Sequence, residues 1–279
     1  MLFSNLFLFS CRSASMLIVL VLGLVFSLES FTFKSIFIGL LFSHFAMGFY
    51  YSKNNVMLMK QKKFALIIAT IILLVGLYFA FYITHLAPYF LVVHAALSDA
   101  YLLRMKSTIE NGELLALIRT VFYSAFISVA FIEMPEAVMN TFLVIGAFSF
   151  IAIFNLSQSK SSLTLFEIPL IAVVFYTQIT HQPLHFQYMG FYHILTWYVF
   201  SFWMLFVKEK NIQKGMTFFS KIAVMSVAFI FLFSNLLDYT ITDASFLKII
   251  GIGSLLHIFT TIPLSKFNPA FIKKIFYVT

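Results

Sequence analysis

Apolar residues fall in ten long blocks along the chain, and short polar stretches separate them. The blocks predict helices spanning Met16–Ser30, Phe33–Ser52, Phe64–His85, Tyr89–Leu103, Leu114–Ile132, Ala137–Asn155, Leu163–Thr180, Tyr188–Val207, Met216–Leu237 and Ser245–Leu264. Most run close to the roughly 20 residues that carry an α-helix across a bilayer core. Strict two-residue alternation around a polar lumen, the mark of a membrane barrel, is missing. The pattern therefore predicts an all-α fold: a polytopic integral membrane bundle of about ten transmembrane helices, in a single domain over residues 1–279.

Composition strengthens this reading. Of 279 residues, 62% are hydrophobic and 10% charged, with 38 phenylalanines. A water-soluble domain needs about a quarter of its residues charged to wet its surface. Here lipid is the expected partner. The net charge of +8 sits in the connections. Lysines and arginines concentrate in residues 53–63, 104–113, 156–162 and 208–214 and after Leu264, whereas residues 133–136, 181–187 and 238–243 are acidic or neutral. With ten spans, every basic connection falls on one side. The positive-inside bias then puts both termini in the cytoplasm. The basic charge is thus a topology signal, and no nucleic-acid partner is expected. Lys34 and Lys248 lie near outer helix ends, where they are expected to snorkel as anchors. The first ten residues lack a basic start and a small-residue cleavage site, which speaks against a secretory signal. The lone Cys11 excludes an internal disulfide. The expected location is a bacterial inner membrane.

Ionisable groups within spans are costly and tend to be functional. His85, His181 and His185 fall at outer helix ends, while His44, His94, His193 and His257 lie inside four different spans. His44 precedes Lys53 by nine residues, His257 precedes Lys266 by nine, and His94 precedes Arg104 by ten. At 1.5 Å per residue, all three sit about 14 Å from the basic boundary, near mid-bilayer. His193 precedes Lys208 by fifteen residues, which sets it about 8 Å further out. Neutral imidazole is the commonest nitrogen ligand for metals and the least costly ionisable group to keep in lipid. Histidines at one level on separate helices are candidates to enclose iron or to ligate a haem. Asp99, five residues after His94, is a candidate ligand or histidine-orienting carboxylate; its other reading is an ion pair with Arg104. Tyr51 and Tyr101, each seven residues after a histidine, and Trp197, four after His193, are candidate cofactor contacts. Arg119 and Glu167 read as snorkelling residues.

Two echoes recur along the chain. Residues 33–55 align without gaps on 246–268, matching His44 to His257, and 81–94 resembles 176–193. Such repeats build many transporters. No zincin helix, Walker loop, nucleophile elbow or dinucleotide fingerprint is present. His181 and His185 have a diiron-type spacing, but Pro183 breaks the helix that would align them.

The segment "HAALSDA" (94–100) resembles the His-x-Ala-Leu-Asp stretch of the Brp/Blh membrane carotene dioxygenases, with one extra residue before Asp99. That resemblance implies intramembrane histidines around a catalytic iron. Size, span number and termini resemble drug/metabolite-type transporters. The leading expectation is a membrane metalloprotein doing redox chemistry on a lipid-soluble small molecule, or electron transfer. The alternatives are a secondary transporter using the histidines for substrate or protons, and a structural subunit of a membrane complex.

Overall fold

The computed structural model describes residues 2–59, 63–82, 87–104, 112–156, 160–181, 183–239 and 244–261. Among them every regular element is helical: α1 (Leu2–Val25), α2 (Phe31–Met59), α3 (Lys63–Tyr82), α4 (Ala87–Arg104), α5 (Gly112–Phe131), α6 (Glu136–Leu156), α7 (Lys160–Thr180), α8 (Phe186–Phe202), α9 (Ile212–Leu232) and α10 (Ala244–Thr261). A π-helical turn, Trp203–Lys208, extends α8, and a 3₁₀ turn, Ser234–Asp238, follows α9. Among the described residues, five segments are long and apolar enough to cross a membrane: Phe31–Tyr50, Glu113–Phe131, Glu136–Leu156, Phe186–Lys208 and Ile212–Leu232.

Local chemistry marks the helix ends. Ser30 Oγ accepts from Phe33 N at 3.1 Å, capping α2, and Asn211 caps α9 through Lys214 N at 2.9 Å. His181 ends α7 in the left-handed region, φ 54°, the usual way to stop a helix. Leu184 N then donates to Ala130 O at 2.8 Å, tying the α7–α8 connection to the end of α5.

Four helices form the centre. α2, α8, α4 and α10 touch one another in that cyclic order. α1 packs on α8, α3 on α10, α9 on α2 and α5 on α4, while α6 lies outside α5. Small residues permit the closest approaches. Ala96 and Ala100 of α4 and Ala130 of α5 are fully buried where these helices meet. Gly146 of α6 accepts the Phe126 ring of α5 where any Cβ would collide with it. Gly146→Leu is therefore expected to cost about 1–3 kcal/mol by overpacking. Thermal unfolding in detergent checks this, with the exposed Val144→Leu as the neutral comparison.

The first helix departs from expectation. α1 begins at Leu2, not Met16, and carries Arg12 within it. An arginine breaks the hydropathy pattern without breaking the helix, because Asp99 pairs with it at 2.9 Å. Lys34 is also not a snorkelling anchor: it is buried, and its Nζ donates to Leu237 O at 2.7 Å and Tyr239 O at 3.0 Å. Carbonyls freed at the end of the 3₁₀ turn are what draw the ammonium inward.

Candidate metal centre

His44, His94, His193 and His257 belong to the four central helices, one from each. They meet as a ring. Neighbouring imidazole centres stand 4.6 Å apart for His44 and His257, 5.1 Å for His257 and His94, 5.2 Å for His94 and His193, and 5.4 Å for His193 and His44. The order matches the cyclic order of the helices. All four residues are buried. His44, His193 and His257 each offer one ring nitrogen within 4.8 Å of the others. His94 closes the ring as a fourth member.

His193 is level with its partners, not further out. The depth marker misled here. Lys208 ends the π-helical turn that prolongs α8, so the count from His193 ran over a longer stretch of helix than the other three.

Two further contacts hold the rings. Phe45 stacks on His257 with centres 5.2 Å apart and planes at 30°. Tyr198, five residues after His193, stands edge-on to His44 at 6.1 Å. Its hydroxyl lies 2.9 Å from Ser43 Oγ, and Ser226 Oγ of α9 donates to Ser43 at 3.1 Å. Sequence reasoning missed these side chains because a Phe and a Ser beside a histidine look like ordinary span residues.

The donor set fits a metal ion. An imidazole bound at about 2.1 Å places its ring centre about 3.2 Å from the ion, so rings at right or tetrahedral angles stand about 4.6–5.3 Å apart. Three of the four spacings above fall in that range, and the fourth, 5.4 Å, lies just beyond it. Three nitrogens around one ion stand about 3–3.5 Å apart, so the rings would turn inward by about an ångström on binding. The Nε2 atoms of His44 and His193 are buried without a hydrogen-bond partner. Such orphaned atoms cost about 1–3 kcal/mol each, which a bound ion would offset. Haem does not fit. Four imidazoles that neighbour one another in a ring crowd the space a porphyrin would need between any two of them as axial ligands, so the set suits a bare ion better than a haem.

Asp99 is not with the ring. Arg12 pairs with it at 2.9 Å and also donates to Tyr192 Oη at 2.9 Å and Tyr123 Oη at 3.3 Å; the Arg104 side chain lies outside the described residues. Tyr123 in turn donates to Glu167 Oε1 at 3.0 Å, and Arg119 lies 3.6 Å from the same oxygen. Arg119 and Glu167 therefore do not snorkel; Glu167 has no exposed surface. The network ties α1, α4, α5, α7 and α8 together through two opposite charge pairs. Trp197 is half-buried and edge-on to Phe200 at 6.0 Å, packed with the α4–α7 core. The side chains of Tyr51 and Tyr101, together with His85, lie outside the described residues. His181 and His185 are exposed.

A cavity of about 50 Å³ lies one turn from the ring. Leu41, Leu91, Gly190 and Ser254 line it, and each precedes the histidine of its own helix by three residues. Residues N-terminal to all four histidines thus converge on one space, so the four helices run in the same direction through the site. The wall also includes Pro88, Phe186 and Gln187, from the first turns of α4 and α8.

The two sequence echoes pair α2 with α10 and α4 with α8, which are neighbours around the ring. A two-fold axis along parallel helices would pair opposite members. The echoes therefore do not follow a two-fold axis along the four helices.

Comparison of the chain with protein-family models, curated proteins and solved structures yields no match.

Proposed function

We propose that this chain is a ten-span membrane metalloprotein with both termini in the cytoplasm. Its ring of His44, His94, His193 and His257 binds one non-haem iron ion, and the chain serves redox chemistry on a lipid-soluble substrate or electron transfer. The observation that carries this reading is the closed ring of imidazoles at the spacing of metal-bound rings. The ten-span topology draws support from the shared direction of α2, α4, α8 and α10, all even-numbered, as strict alternation across a bilayer requires.

Redox work suits the site better than hydrolysis. A hydrolytic zinc centre needs water and a general base, and the adjoining cavity offers Ser254 and Gln187 but, among the described residues, no carboxylate. When bound, iron supplies one-electron chemistry. The chain's own part is to hold four neutral nitrogens at fixed angles, with Phe45 and the Tyr198–Ser43–Ser226 chain setting ring planes, and to keep the surroundings apolar. A neutral ligand set in a low-dielectric shell favours the ferrous over the ferric ion and so raises the reduction potential.

The other two readings fare less well. Imidazoles acting only as interhelical glue would spend their nitrogens on hydrogen bonds, and two of them do not. A 5+5 inverted repeat would map α2, α4, α8 and α10 onto odd-numbered helices, away from the site. Elemental mass spectrometry of protein purified without chelator is expected to give about one iron per chain, with no Soret band in the absorption spectrum. Folded, active protein without metal would contradict the proposal.

A further inference from the structure

The cavity beside the ring has chemistry of its own. Its walls are Phe37, Leu41, Leu91 and Ile250, with Gly190 leaving space where a side chain would project. A water-sized site needs about 10–15 Å³ of such space, so about 50 Å³ admits three or four small atoms. An isoprenoid unit or an acyl chain is too large. A set of waters filling the space is poorly served, because each buried water needs two to four polar partners and the lining offers only Ser254 and Gln187 among the described residues. Ser254 Oγ is one such group: it is buried with no hydrogen-bond partner, on a residue only 5% exposed. A small apolar molecule with one weak acceptor atom suits a mostly apolar space whose polar side chains, among the described residues, are Gln187 and the spare Ser254 hydroxyl. The space begins at the first turns of α4 and α8 and ends three residues, about 4.5 Å along the helix axes, from the ring.

We infer that this cavity binds a small apolar diatomic gas of the dioxygen class and delivers it to the histidine ring. The delivery half rests on the metal reading above, and the binding half does not. Gly190 sets the free volume: a Cβ there would meet only the Phe37 ring, at 3.6 Å, so a larger side chain grows into the cavity. Ser254 and Gln187 are the polar side chains that line it among the described residues.

Xenon is the probe for the binding half, because it needs no metal. Pressurising crystals of the metal-free full chain is expected to place xenon among Leu41, Leu91, Gly190 and Ser254. Gly190→Leu is expected to abolish that density, and Leu91→Phe provides a second filled variant should the first fail to fold. In iron-loaded protein, either filled variant is expected to slow ferrous oxidation by dioxygen at least tenfold at unchanged iron content. Oxidation by ferricyanide, which transfers electrons without entering the cavity, should keep its wild-type rate. No xenon in the wild-type cavity would overturn the inference. Wild-type dioxygen rates in a filled variant would overturn it as well. Xenon bound in a chain that holds no iron would keep the gas site and remove the metal reading.

Discussion

His44→Ala is expected to weaken metal binding by more than about 100-fold, since loss of mere outer-shell partners already costs about 10–100-fold. The same loss is expected for His193→Ala and His257→Ala, whose nitrogens face that of His44 within 4.8 Å. His94→Ala belongs to the same set, because its ring closes the circle between His193 and His257. The exposed His181 and His185 provide the comparison: alanine at either is expected to leave metal content unchanged. Removing one imidazole also removes a costly buried polar group, so the variants should fold as well as wild type. Metal per chain, read beside circular dichroism, separates loss of the ion from loss of the fold. Retention of metal by all four single variants would refute the ring.

The second large effect is on stability. Asp99→Leu leaves the Arg12 guanidinium buried, with two tyrosine hydroxyls as its remaining hydrogen-bond partners and the Glu167 carboxylate one step away through Tyr123. Breaking one side of a buried pair costs about 3–5 kcal/mol, and both residues here are largely enclosed, at 12% and 6% exposure. The double variant Arg12→Leu/Asp99→Leu is expected to recover most of that loss, because an apolar pair of similar volume leaves no stranded charge. Denaturation midpoints of the single and double variants in detergent measure the difference. Metal content provides a second readout. If Asp99 works through Arg12 as the geometry indicates, Asp99→Asn keeps its metal. If Asp99 were a ligand, the same variant would lose metal at little cost in stability.

Much of this was legible in the chain. Most of the apolar blocks fall on helices, because an apolar run of this length buries best as a helix; α2 differs, running past Lys53 to Met59 where the basic break predicted an end at Ser52. The level of His44, His94 and His257 could be counted from the following basic residue. Which helices are neighbours could not be counted, since one-dimensional spacing fixes depth and carries no bearing. His193 illustrates the limit: its count ran to a lysine lying beyond a π-helical turn. Arg12 was hidden for a related reason. A charge in an apolar stretch lowers hydropathy whether or not a partner neutralises it, and Asp99 lies 87 residues away. Glu167, Arg119 and Lys34 were misread in the same way, as edge residues when each has a buried partner. The cavity had no signal in the sequence. It arises from the residues three before each histidine, which become a set only after the four helices are brought together.

The central claim is that four imidazoles from four helices enclose one ion. Anomalous diffraction at the iron edge, from crystals of protein purified without chelator, tests it most directly. The account predicts a single peak inside the ring, about 2.1 Å from nitrogens of His44, His193 and His257, with His94 as the fourth neighbour. An anomalous map with no peak among these imidazoles, or with its peak elsewhere in the chain, would contradict it.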